Sequence, residues 1–214
     1  MKEKIAFHLG DFSSFNVRIT VRNIGEMLSN RFDLDLISTT PDSFSDVVHN
    51  HFSFYGTGYQ NTSLGGMRGL RDYLNQHTPD IITQIGDVPI YGNSIAVLKE
   101  ADTKFICRYS GDLFSEYQLE TGFRKVKIFT IKNILGRFPL MAADHVIVMG
   151  PREKAKIVNR GIQPPNISIL PPPIDPNRLT ISKPQSTDFD EWTGPIAVFV
   201  GRISRLKGGN SLEL

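Results

Sequence analysis

The sequence predicts an α/β protein with a doubly wound, mainly parallel sheet. Three observations predict it: short apolar runs alternate with segments of helical periodicity, polar loops carrying glycine follow several of the runs, and the alternation stops at a proline-rich stretch that begins at Pro171. Strands that alternate with helices require a sheet covered on both faces, with ligands at the carboxyl ends of its strands.

Ile5 to Leu9 is a compact apolar run and reads as the first strand. Beyond the loop Gly10-Asp11-Phe12-Ser13-Ser14, Val17, Val21, Ile24 and Leu28 recur at the spacing of one helix face, with Asn16 as the expected N-cap. Leu34 to Ser38 is the next strand. Val47 to Tyr55 alternates partly with period two and ends in Gly-Thr-Gly, which predicts a third strand. Ser63 to His77 predicts a helix with Leu64, Met67, Leu70 and Leu74 on one side, despite three glycines.

From there the alternation is clearer. Asp80 to Ile85, Lys104 to Tyr109, Asp144 to Met149 and Ile167 to Leu170 read as strands, and Gly92 to Ala101 and Pro151 to Asn159 as helices. Residues 113–143 form a long insertion between strands. The expected organisation is one domain over residues 1–170, a linker rich in Pro, Ser, Thr and Asp over 171–195, and a second domain starting with the apolar strand Ile196 to Val200. Residues 196–214 leave room for that strand and the opening of a helix, too little to bury a core.

Composition narrows the function classes. With 214 residues, 40% hydrophobic and 21% charged, the chain is globular rather than disordered. Lys+Arg 24 against Asp+Glu 22 gives a net charge of +2, which excludes a nucleic-acid binder carried by bulk charge. The single cysteine, Cys107, excludes a disulfide framework and fits a reducing compartment, so a cytoplasmic protein is expected. No run approaches the ~18 apolar residues of a spanning helix, so any membrane would be met from its surface. The pair His49-x-His51 supplies only two ligands on one predicted strand and reads as ordinary strand residues, so no metal is expected.

Ala143-Asp144-His145-Val146-Ile147-Val148-Met149-Gly150, a helix, Gly161-Ile162 and Ile167-Ser168-Ile169-Leu170-Pro171-Pro172-Pro173-Ile174-Asp175 follow one another in an order and spacing that resembles glycosyltransferase family 4. Val200-Gly201-Arg202-Ile203 with Lys207-Gly208 is similar to that family's Gly-Arg-Leu-x-x-x-Lys-Gly, at the first strand of its second domain. The resemblance implies the GT-B architecture: two Rossmann-like domains across a cleft, the first holding mostly the acceptor and the second mostly the nucleotide-sugar donor. It further implies a retaining glycosyltransferase with no metal or other cofactor, and a glycan or lipid-linked acceptor. This chain would then be mainly the acceptor-side domain, inactive alone. The family's Glu-x7-Glu element has no counterpart here, and where many members carry a histidine this chain reads Arg108-Tyr109-Ser110-Gly111-Asp112.

By resemblance, Arg202 and Lys207 would clamp the donor diphosphate, because a fixed guanidinium and a nearby ammonium stabilise the leaving phosphate without a metal. On spacing alone the pair reads rather as a solvated turn, and it is the upstream pattern that favours the clamp. Gly10, Asn16 and Arg18 sit where the family meets phosphate or acceptor, although its usual Gly-Gly pair is Phe15-Asn16 here. Asn16 also reads as a cap and Arg18 as surface. Asp87, Tyr91, Asn93, Ser110 and Asp112 follow predicted strands and are candidate acceptor contacts, with Asp112 the candidate for catalysis. Their other reading is as turn and cap residues.

Residues 122–138 carry Arg124, Lys125, Lys127, Lys132 and Arg137 with no acid, and Ile131, Ile134, Leu135 and Phe138 share one helical face. Such a segment suits either an anionic membrane surface or an amphipathic helix packed on the sheet. The other functional class left open is a non-catalytic carbohydrate- or nucleotide-binding module that needs a partner. A third reading, a nucleotide-binding dehydrogenase, is the weaker one, because the first loop has no Gly-x-Gly-x-x-Gly for a pyrophosphate.

Overall fold

Seven parallel strands form one sheet: β1 (Lys4–Gly10), β2 (Asp33–Ser38), β3 (Ser53–Tyr55), β4 (Ile81–Gln84), β5 (Lys104–Tyr109), β6 (His145–Val148) and β7 (Ile167–Ile169). Their spatial order is β3-β2-β1-β4-β5-β6-β7, and every neighbouring pair is parallel. The structure is a computed structural model, and it describes residues 2–10, 15–86, 88–109, 113–163 and 166–171, all within the compact unit Met1–Pro173. The expected linker beyond Pro171 and the expected second-domain strand lie outside the described residues.

The strand order fixes where the helices go. From β1 the chain steps one way to β2 and β3, and from β4 it steps the other way to β7. Right-handed crossovers therefore put the two sets of helices on opposite faces. The first face takes α1 (Phe15–Leu28) and α2 (Asp46–His49), where Phe7, Leu9, Leu36, Val21, Val48 and Phe52 pack together. The second takes α3 (Ser63–Gln76), α4 (Asn93–Leu98), α6 (Arg137–Ala142) and α7 (Pro151–Val158), with Leu70, Ile82, Ile95, Phe105, Leu140 and Ile157 at its centre. Cys107 is buried in that second core, and burial pushes its thiol up to about 12. Among the described residues no helix covers β5 to β7 on the α1 face, so Ile106 and Ile147 stay half-buried there.

Three elements differ from expectation. The predicted strand over Val47 to Tyr55 is a helical turn, α2, followed by a strand only from Ser53. Burial falls on Phe44, Val48 and Phe52, a four-residue spacing that outweighs the weak alternation. Asn16 is not an N-cap: α1 begins at Phe15, and the exposed Asn16 offers its carbonyl to Thr20 Oγ1 at 2.9 Å. In α3 the inward line is Gly65, Gly66, Gly69, Leu70, Tyr73 and Leu74, while Leu64 is 53% exposed. The glycines carry that face because it meets backbone: a Cβ on Gly66 would lie 2.9 Å from Gly10 Cα, and one on Gly69 would lie 3.1 Å from Gly56 Cα.

Polar bonds pin α3 in place. The Thr62 hydroxyl caps it by accepting from the Gly65 amide at 3.1 Å. Tyr73 donates its hydroxyl to the buried Asp35 carboxylate at 2.7 Å, and Lys4 Nζ lies 3.5 Å from the same group. The inserted segment between β5 and β6 runs as α5 (Gly122–Phe129), a π-helical turn (Thr130–Leu135) and α6, end to end.

Candidate functional site

In a doubly wound sheet the crevice opens where strand order reverses, outside the carboxyl ends of the strands. Here that point is the boundary between β1 and β4. Gly10 closes β1 with φ of 63°, a left-handed conformation that favours glycine. Its carbonyl accepts from the Thr39 amide at 3.1 Å and from the Thr39 hydroxyl at 3.3 Å, and Thr39 Oγ1 also lies 3.2 Å from Asn61 Oδ1. Hydroxyls and an amide side chain thus gather at the ends of β1 and β2.

Tyr91 belongs to a π-helical turn, Val88–Gly92, that follows β4. Its ring lies against Gly10 and Gly66, and a Cβ on Gly10 would overlap it. Only 1% of Tyr91 is exposed, so this expected acceptor contact forms the floor of the crevice by packing. Asn93 donates its side-chain amide to the carbonyls of Pro89 and Leu135, the latter at 3.1 Å, and so fastens the Tyr91 turn to the inserted helices.

Arg18, in α1, is half-buried beside the segment that follows β2. Its Nη1 donates to the Ser43 carbonyl at 3.0 Å, and its Nε is buried without a hydrogen-bond partner among the described residues. It also forms no ion pair among them. A half-buried guanidinium with spare donor capacity and no ion pair among the described residues suits an anionic or polyhydroxyl ligand. The structure therefore brings Gly10 and Arg18 to the same edge of the sheet, with Asn16 in the exposed first turn of α1. Asp87, Ser110 and Asp112 lie outside the described residues, as do Arg202 and Lys207.

His8 is a site residue that the sequence reading passed over. It lies in β1 directly under Tyr91, with ring centroids 4.7 Å apart, and is fully buried. Its Nε2 is 3.0 Å from the Gly66 carbonyl, which only accepts, so Nε2 carries the proton. Burial lowers its pKa from 6.5 to about 4, so the ring is neutral at pH 7 and unsuited to act as a charged acid there. The signal was available: a histidine inside an apolar run that reads as a strand buried on both faces has nowhere polar to point.

The scattered histidines are structural. His49 stacks on Phe54 at 4.3 Å, and His51 Nδ1 lies 2.9 Å from Ser29 Oγ. Among the described residues no group of three His, Cys, Asp or Glu side chains is placed to hold a metal, and no helix is long and apolar enough to cross a membrane.

Solved glycosyltransferases share this fold. A UDP-glucose:anthocyanidin 3-O-glucosyltransferase in complex with UDP superposes with a TM-score of 0.54 and 11% identity, over 88% of this chain and 56% of its own. A glycosyltransferase from Rickettsia africae ESF-5 gives 0.50 and 12% identity over 79% of this chain and 43% of its own. A Listeria monocytogenes protein assigned as a UDP-N-acetylglucosamine 2-epimerase gives 0.51 and 12% identity over 78% of this chain and 44% of its own. This chain spans about half the length of each of them. At such identities the likeness establishes the Rossmann-like α/β fold. No protein-family model and no curated protein matches the sequence.

Two outcomes test this geometry. Gly10→Ala meets both a strained φ and the Tyr91 ring, and should lower unfolding free energy by about 3 kcal/mol in urea titrations. In a Tyr91→Ala background the same change should cost only about 1 kcal/mol, because the backbone term alone remains. For His8 the folded pKa lies below the unfolded one, so the unfolded chain binds the extra proton. Stability should be full above pH 6.5 and fall as pH drops toward about 4. The loss by pH 4 should be about 3 kcal/mol, and His8→Gln should flatten that slope.

Proposed function

We propose that this chain is the acceptor-side half of a GT-B glycosyltransferase of the family 4 type, transferring a sugar from a nucleotide-sugar to a glycan or lipid-linked acceptor with retention of configuration. The carboxyl edge at the β1/β4 switch point carries the reading: Gly10, Thr39 and Asn61 meet there, and the half-buried Arg18, whose Nη1 donates to the Ser43 carbonyl and which has no ion pair among the described residues, brings a charge that can balance an anion. The likeness of the fold to solved glycosyltransferases supports it. So does the order of the motifs from Ala143 to Asp175.

In this reading Arg18 and the first turn of α1 meet a phosphate or sugar hydroxyl. Asp87, Ser110 and Asp112 follow parallel strands and complete the acceptor contacts, Asp112 acting at the reacting sugar. Arg202 and Lys207 hold the donor diphosphate and take up the charge that grows on it as the glycosidic bond to the leaving group breaks. No metal or other cofactor enters. Sugar transfer needs both substrates held together, and that positioning is worth several kcal/mol of barrier.

Calorimetric titration of the 214-residue chain with a panel of oligosaccharides, sugar phosphates and UDP-, GDP- and ADP-sugars, beside a transfer assay, tests it. Saccharide binding should appear in the panel, and Arg18→Ala should weaken the phosphorylated ligands about tenfold. Transfer by the chain alone should be slight. Absence of saccharide and nucleotide binding across the whole panel would overturn the proposal.

A further inference from the structure

The inserted helices between β5 and β6 present apolar side chains to solvent. Phe123 is 83% exposed, Val126 61%, Ile134 56%, Phe138 51% and Met141 62%, all along the run from α5 through α6. Phe129 and Leu135 are exposed there too; lone exposed apolar residues need no explanation, but seven on one short helical segment mark an interaction surface. The alternative left open by the sequence, an amphipathic helix packed on the sheet, accounts only for Gly136, Pro139 and Leu140, which are buried.

Charge decides what the surface meets. Arg124, Lys125, Lys127 and Arg137 are all exposed on the same run, and residues 122–138 contain no acid. Arg124 is paired with Glu120 at 3.1 Å, yet 73% of its side chain stays in solvent. Lys132 differs: it turns inward to Glu116 and contributes to the fold. Arg137 Nη2 donates to the Arg160 carbonyl at 2.7 Å, and Arg137, like Arg124, is still exposed. Exposed aromatic and aliphatic side chains interleaved with solvent-exposed cations match an anionic lipid interface, where the apolar groups enter the acyl boundary and the cations stay among the headgroups.

We infer that the helical run from Gly122 to Ala142 docks this protein on the surface of an anionic bilayer. The docked run is also in contact with the crevice. Asn93 bonds the Leu135 carbonyl, and a Cβ on Gly92 would lie 2.8 Å from Pro139, so the turn that carries Tyr91 rests on the lipid-facing helices. A ligand held in the crevice would then sit close to the membrane plane.

Sedimentation of the full chain with phosphatidylcholine vesicles, with and without about a third phosphatidylglycerol, tests this surface whether or not the chain transfers a sugar. Binding should require the anionic lipid and weaken as salt is raised, since exposed charges are screened over about 8 Å near physiological ionic strength. Each basic residue should contribute about fivefold to the partition coefficient, so reversing Arg124, Lys125 and Lys127 to Glu should lower it by at least a hundredfold, on the order of detection loss. Phe123→Asn with Val126→Asn should also reduce binding and leave the circular dichroism and urea midpoint unchanged, because both side chains point to solvent. Failure to sediment with anionic vesicles, equal binding by the charge-reversed chain, or a concentration-dependent dimer dissolved by the two Asn substitutions would overturn the inference.

Discussion

The carboxyl edge of the sheet depends on one close approach. Gly66 of α3 lies against Gly10 at the end of β1, and no side chain fits between them. Because Gly10 takes a left-handed turn there, the chain can leave β1 toward α1 while Tyr91 fills the space above it. His8 completes the floor from below by bonding the Gly66 carbonyl. Each of these groups excludes a bulkier or charged alternative at its neighbour, so the crevice has a rigid base on which hydroxyl and guanidinium groups can be held in position.

That base also couples distant parts of the chain. α3 is pinned at its start by Thr62 and further along by Tyr73 on Asp35, and the Tyr91 turn is fastened by Asn93 to the inserted helices. Strand order supplies the rest. A sheet whose chain runs outward in both directions from a central strand places its helices on opposite faces and opens its ligand crevice at the reversal. The insertion lies on the α3 side of that crevice, which is why its outer surface and the site share a border.

Much of this was legible in the sequence, for physical reasons. Among the described residues every strand but the third was located within about two residues, because a parallel sheet buried on both faces demands nearly continuous apolar runs. The third was misread because a short edge strand leaves a weak pattern: Phe44, Val48 and Phe52 carry helical spacing that the partial alternation hid. In α3 the leucines drew attention where the glycines carried the packing, since hydrophobic periodicity does not register a helix face that meets backbone. The placement of Gly10 and Arg18 at the carboxyl edge was legible from their position after the first strand, and their roles there are proposals. Tyr91 and Asn93 were found as residues but not in their roles, because burial and bonds to distant carbonyls are tertiary facts. His8 was passed over because it stands alone in the sequence and gains its partners only from α3 and the Tyr91 turn.

The central claim is that ligands bind outside the carboxyl ends of β1 and its neighbouring strands, and backbone amide chemical-shift mapping during titration with an oligosaccharide or sugar phosphate from the binding panel measures it most directly. The account predicts shifts clustered at Gly10, Asn16 to Arg18, Thr39, Thr40 and Asn61, with the amides at the opposite edge, among them Lys4, Ile81 and Lys104, unmoved. Shifts confined to that opposite edge would contradict it.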